Sequence, residues 1–217
     1  MVEAQHVAAT MKLVDSLAEQ DLLESLLEKS KPPLSPGAEA LDYLLASPFR
    51  YSPQQGGSRF RGPFDPGVFY GADNVATACA ELAYWRWKFL RDAPALARLE
   101  PVAHTAFQAR VGTLAIDLRH PPLVDGEAAW THPTDYGPTQ ALARSAREAA
   151  IGAILYHSVR APQPSCCTAV LTPAAFASPR PEPTTQTWWL AVRQDEVVWR
   201  REKESLIFST APWTAAN

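Results

Sequence analysis

Apolar residues recur at helical spacing from about Met11 to Lys29, where Leu13, Val14, Leu17, Leu22, Leu23, Leu26 and Leu27 are separated by acids and lysine. This predicts one helix or two, since Ser16 and Asp21 can each cap a start. The run KPPLSPG from Lys31 to Gly37 then stops any helix and forms an extended link. A short helix is expected from Ala38 to Leu45, and an irregular aromatic stretch from Pro48 to Pro53. Beyond it, Gly56-Gly57, Gly62-Pro63 and Pro66-Gly67 punctuate a loop that carries Arg59 and Arg61. Val68-Phe69-Tyr70 predicts a short strand, and Asp73 or Asn74 caps a helix that begins near Val75 and holds Glu81. Ala76, Ala80 and Ala83 give that helix a small face able to lie close to a sheet. Its continuation through Tyr84, Trp85, Trp87 and Phe89 is too aromatic to be left in water, so it must face a core or a partner.

Downstream, Phe107 to Leu118 predicts one or two strands with a turn or bulge at Gly112. A loop is expected from His120 to Gly137, then a Thr-capped helix from Thr139 to Ala150 with an alanine-rich inner face. Ile151–Val159 and Cys166–Leu171 read as strands, and Trp188–Val192 with Glu196–Trp199 as a hairpin or two sheet strands. The sequence thus divides into a helical extension over residues 1–46 and a mixed α and β domain over 47–217. The extension is either a docking arm or a helix packed on its own domain.

Composition narrows the function. The 217 residues are 47% hydrophobic with a net charge of -3 and both signs scattered, so neither a nucleic-acid surface nor an anionic-membrane surface is indicated. No apolar run approaches the roughly 20 residues of a membrane span, and the N-terminus lacks a basic-then-apolar signal layout, so a cytoplasmic location is expected. Cys79, Cys166 and Cys167 are odd in number and two are adjacent, which argues for small buried residues rather than disulfides. The histidines are isolated, and the chain lacks GxGxxG and GxxxxGK[ST].

The candidate chemistry lies elsewhere. Arg59 and Arg61, among glycines, suit bidentate binding of a phosphate group, or form a loop of solvated or salt-bridged arginines. Glu81 on a small, buried helix face is either the structural partner of an arginine or a working acid, because a buried carboxylate is costly unless paired. Tyr70 at a strand end is a core aromatic or a platform for a flat ring. Ser158 stands where a strand turns into a Pro-containing loop, a place where binding residues collect. It has no GxSxG elbow, which speaks against a Ser-His-Asp nucleophile.

Taken together, GGSRF at Gly56–Phe60, VFYGADNVATACAE at Val68–Glu81 and AILYHSVRAP at Ala153–Pro162 resemble the RES-domain family, named for its Arg, Glu and Ser. Its Arg falls on Arg59, its Tyr on Tyr70, its Glu on Glu81 and its Ser on Ser158. Phe60-Arg61 stand where many members have Trp-Asn, which makes Arg61 a second candidate for the phosphate role. The resemblance implies an α+β, ADP-ribosyltransferase-like fold with a split antiparallel or mixed sheet and flanking helices. It further implies a toxin that degrades NAD+ by phosphorolysis or hydrolysis and is restrained by an Xre-like antitoxin. NAD+ would be the substrate, inorganic phosphate a candidate co-substrate, and no cofactor or metal is called for. A homo-oligomer is a further expectation. Two other readings stay open: an ADP-ribosyltransferase acting on a macromolecule, and a non-catalytic binding module.

Overall fold

The computed structural model describes residues 1–3, 13–51 and 57–215, so the expected helix start at Met11 falls outside it. The elements in chain order are β1 (Val2–Glu3), α1 (Leu17–Ser30), α2 (Tyr43–Arg50), β2 (Phe69–Ala72), α3 (Val75–Asp92), β3 (Leu99–Phe107), β4 (Ala115–Asp117) and α4 (Glu127–Trp130). They continue with α5 (Gly137–Glu148), β5 (Ala153–His157), β6 (Cys166–Val170), β7 (Thr185–Val192), β8 (Glu196–Arg201), β9 (Glu204–Ser209) and α6 (Ala211–Ala215). The class is α+β. One sheet, ordered β1-β3-β7-β8-β9, is antiparallel throughout; the other, β2-β6-β5-β4, is mixed, with β4 and β5 parallel and α5 as their crossover.

Each sheet owns a core. α3 lays Ala80, Ala83, Tyr84, Trp87 and Leu90 on the antiparallel sheet against Trp188, Val197 and Trp199. Each of these tryptophans buries an apolar ring while its indole N–H finds an acceptor: Trp87 donates to Gln194 O at 3.0 Å, and Trp199 to Cys79 O at 3.2 Å. In the mixed sheet, α5 packs Ala143 and Ala146 over Ile154, Tyr156 and Ala169, with Phe60 buried among them. α3 starts directly after β2, where Asn74 Oδ1 accepts the Thr77 N–H at 2.8 Å. One helix therefore leaves the mixed sheet and packs on the antiparallel one.

Several expectations need correction. The helix placed at Ala38–Leu45 lies instead at Tyr43–Arg50, because Asp42 Oδ1 caps it by accepting the Leu44 N–H at 2.9 Å. Pro48 sits inside that helix, where the missing N–H forfeits one intrahelical bond without ending it. α2 thus runs across residue 46, and Leu45, Ala46 and Phe49 are buried. Of the one or two strands expected at Phe107–Leu118, β4 falls within that range, whereas the longer β3 lies upstream and only ends at Phe107, with Pro101 in the register shift between Leu99 and Val102. β9 was not expected, nor were α4 and α6. Ala76 is exposed, and Thr77 takes the buried place in the first turn of α3. Thr139 does not cap α5: its hydroxyl bonds the Arg59 carbonyl and lies 3.0 Å from Tyr136 O.

In the extension, α1 begins at Leu17 with Ser16 as its cap and buries no residue. Arg50 ties it to the domain through Glu28 at 2.7 Å and the Pro32 carbonyl at 2.6 Å. Cys79, Cys166 and Cys167 are buried and free. No helix among the described residues is long and apolar enough to cross a membrane.

Gly67 marks where the loop before β2 meets α2. A Cβ there would stand 2.3 Å from Pro48 O and 2.4 Å from Phe49 Cα, backbone atoms with no rotamer to yield. Gly67→Ala is expected to lower stability by about 1–3 kcal/mol through overpacking. Urea unfolding tests it, and an unchanged midpoint would mean that the two backbones separate freely.

Candidate active site

Strands of both sheets contribute to a cleft of about 690 Å³, within the range of small-molecule sites (roughly 300–1,000 Å³). Its walls come from β2, α3, the end of β3, β5 and β6, and from the loops carrying Arg59, Tyr136 and Arg160. Glu81 projects from α3 onto its floor. There Ser158 Oγ, just past β5, donates to Glu81 Oε1 at 2.5 Å, and the buried Cys167 thiol lies 3.9 Å from the same oxygen. Oε2 has no hydrogen-bond donor among the described residues and is left for whatever enters the cleft. Ser158 is itself fixed, since its Oγ accepts the N–H of Ala161 at 3.0 Å and of Arg160 at 3.3 Å.

Arg59 occupies a tight turn closed by Ser58 N–H to Arg61 O at 2.7 Å and Arg61 N–H to Ser58 O at 3.1 Å. Gly57 precedes it at φ 72, and a Cβ there would stand 2.2 Å from Arg61 O, so the turn needs glycine twice over. Phe60, fully buried, pins the turn to the mixed-sheet core, and this sends the two arginines opposite ways. Arg59 enters the cleft wall, 8% exposed, with its guanidinium 4.8 Å from the Tyr136 ring centroid. Its Nη1 donates to Trp130 O and His132 O, both at 2.9 Å. Arg61 leaves the cleft and is tied to Tyr51 O at 2.6 Å and Asp65 O at 3.2 Å.

Tyr70, on β2, shows its ring to the cleft and buries its hydroxyl behind the arginine turn. That hydroxyl accepts the Phe60 N–H at 2.9 Å and shares a hydrogen bond with Ser58 Oγ at 2.7 Å. Burial pushes the phenol up, against those two hydrogen bonds, so it remains a neutral strut. Tyr156 lines the same floor and is pushed well up, first by burial and then by the charge of Glu81. The Cys167 thiol is pushed up by the same two causes and stays protonated.

Arg59, Tyr70 and Glu81 therefore line one cleft, with Ser158 hydrogen-bonded to Glu81, and Arg61 lies outside. Sequence reasoning missed Arg160, 5% exposed, whose guanidinium stands 3.4 Å from the Tyr84 ring centroid and donates to Pro133 O. The signal was present in SVRAP, an arginine two places past the serine at a strand end. The carbonyls of Trp130, His132 and Pro133 had no signal at all, because backbone acceptors carry no residue code.

A RES domain family model matches residues 36–193, most of the chain and a range that contains Arg59, Tyr70, Glu81, Ser158 and Arg160. The chain belongs to the RES-domain family. Among curated proteins none matches it. Of the residues to which the sequence resemblance carries the RES Arg, Tyr, Glu and Ser, Arg59, Tyr70 and Glu81 line one cleft and Ser158 is hydrogen-bonded to Glu81.

Tyr70→Phe keeps the ring and strips the Phe60 N–H of its acceptor. The expected result is a loss of about 1–3 kcal/mol, the usual cost of an unsatisfied buried donor. Thermal and urea unfolding measure it, and a variant as stable as the parent would place the Phe60 N–H on another partner.

Proposed function

We propose that this RES-domain protein consumes NAD+ by cleaving the bond between nicotinamide and ribose. The observation that supports it most is the half-free Glu81 carboxylate, oriented by Ser158 on the floor of a cleft whose wall holds buried guanidinium groups. In this reaction the C1′–N bond breaks and its electron pair passes to the pyridinium nitrogen. Nicotinamide then leaves as a neutral molecule and needs no acid. The ribose carbon becomes oxocarbenium-like, and a carboxylate at its side stabilises the positive charge as it develops. An acceptor oxygen closes the new C1′–O bond: inorganic phosphate yields ADP-ribose 1″-phosphate, water yields ADP-ribose and a proton. Arg59 would hold the diphosphate, Tyr70 would stack on nicotinamide or its ribose, and Ser158 would keep Oε1 occupied so that Oε2 faces the reacting carbon.

A catalyst that drains NAD+ needs restraint, and the same reading includes an inhibitory protein partner of the antitoxin type. Trp85, 44% exposed and lining the cleft, and Phe89, 56% exposed on the same helix, offer it an apolar hold beside the mouth.

Glu81→Gln retains an acceptor for Ser158 and removes the charge. Nicotinamide release, followed by HPLC, is expected to fall about 100-fold or more with the melting temperature nearly unchanged. Full turnover by a folded Glu81→Gln protein would remove the carboxylate from the mechanism. Labelled NAD+ in a lysate identifies the acceptor, since label on protein would mark a macromolecular target.

The two arginines separate in a second test. Arg59→Lys is expected to raise the half-saturating NAD+ concentration about tenfold, because an ammonium lacks the planar fork. Arg61→Lys, bonded to loop carbonyls outside the cleft, should shift it less than twofold. The opposite ranking would place the diphosphate on the other side of the turn.

A further inference from the structure

We propose that Arg160 is a second phosphoryl-binding residue of this cleft, acting beside Arg59 on a phosphate group that belongs either to the dinucleotide or to an incoming inorganic phosphate. The inference rests on the reading of the cleft as an NAD+ site. Its starting point is a pair of buried cations in a cleft that is also lined by Asp73, Glu81 and Glu182, none of which pairs with either of them. Arg59 and Arg160 are 8% and 5% exposed and both line the cleft, yet among the described residues neither has a carboxylate oxygen within 4.0 Å. They are held by neutral groups, Arg59 by the carbonyls of Trp130 and His132 and Arg160 by that of Pro133 and the face of Tyr84.

His132 and Pro133 are consecutive, about 3.8 Å apart along the chain, so one short loop gathers both cations. Carbonyls and a ring satisfy donors without cancelling charge. Burying a charge that stays unpaired costs several kcal/mol, and a second cation nearby adds repulsion. A ligand anion removes both costs. Arg160 spends one N–H on Pro133, and a guanidinium carries five.

Its position suits the chemistry. Tyr84, on which Arg160 lies, follows Glu81 by three residues on the same helix and so shares its face. The Arg160 N–H also bonds the Ser158 hydroxyl that holds Glu81. A phosphate on Arg160 would therefore stand near the carbon that Glu81 stabilises, where the substrate's own phosphate and an attacking phosphate both have reason to be.

The test titrates the purified full chain with pyrophosphate and with inorganic phosphate, by calorimetry and ³¹P line broadening, in the parent, Arg160→Met and Arg160→Lys. The parent is expected to bind at least one of the two anions. Arg160→Met, which keeps an apolar stem on Tyr84, should weaken that binding about tenfold or more, and Arg160→Lys by a smaller factor. In turnover, a raised half-saturation for NAD+ assigns Arg160 to the dinucleotide, and a raised phosphate requirement assigns it to the acceptor. Anion affinity equal to the parent's in a folded Arg160→Met protein would make Arg160 a structural strut and overturn the proposal. So would a parent that binds neither anion. Should Arg160→Met fail to fold, unchanged affinity in Arg160→Lys overturns it as well. Anion binding is read without NAD+, so a protein that leaves NAD+ intact but loses anion binding in Arg160→Met refutes the proposed activity and not the site.

Discussion

The hydrogen bond from Ser158 to Glu81 joins the end of a mixed-sheet strand to a helix that packs on the other sheet. Everything in the cleft is arranged around that crossing. The magnitudes divide the labour. Burying Tyr84 and Trp87 against the antiparallel sheet is worth about 1.5–3 kcal/mol for each large side chain, and Leu90 and the alanines add to it. A hydrogen bond to a charged group contributes about 1.5–3 kcal/mol in all. Packing therefore decides where α3 lies, and the Ser158 bond decides which way the carboxylate points. A helix held only by the second would leave the site loose.

The same logic governs the arginines. Arg110 and Glu182 pair with each other at 2.6 Å on the cleft wall, but Glu81, Arg59 and Arg160 line the same cleft without an ion pair among them, which requires each to be held by something neutral. The loop at 130–133 does this for both cations, and it is itself fastened by Trp130, whose indole N–H donates to Leu123 O at 2.7 Å. Had Glu81 taken an arginine as its partner, the pair would have satisfied itself and left little field for a ligand. Neutral tethers orient the charges and leave them uncancelled, which in the proposed reading keeps their field for the substrate's phosphates.

Residue type and local order made part of this legible. The strand, Asx cap and helix from Val68 to Glu81 are consecutive signals, and the fold realises them with Asn74 as the cap. Which of Arg59 and Arg61 faces the cleft was not legible, because that depends on Phe60 being drawn into a core whose other members lie mostly between Ala143 and Leu171, far along the chain. The aromatic run of α3 required only that its rings face a core or a partner; tertiary packing chose Tyr84 and Trp87 for the core and left Trp85 and Phe89 outside. β3 hid behind Pro101 and a buried His104, which read as interruptions until β7 supplies a register that tolerates a bulge. β9 hid behind its charged flank at Arg200 to Glu204. Its pattern becomes a strand only once β8 is beside it.

Tyr70 shows how a side chain is made specific by hiding its polar end. With its hydroxyl held behind the arginine turn by Ser58 and Phe60, only the ring meets the cleft. The negative face of an aromatic ring attracts a cation more than a neutral ring of the same shape. In the proposed reaction the nicotinamide ring is positively charged before cleavage and neutral after it. A stacking face without a competing hydroxyl would thus hold the substrate more tightly than the leaving group, and nicotinamide would go free as a consequence of the bond that broke.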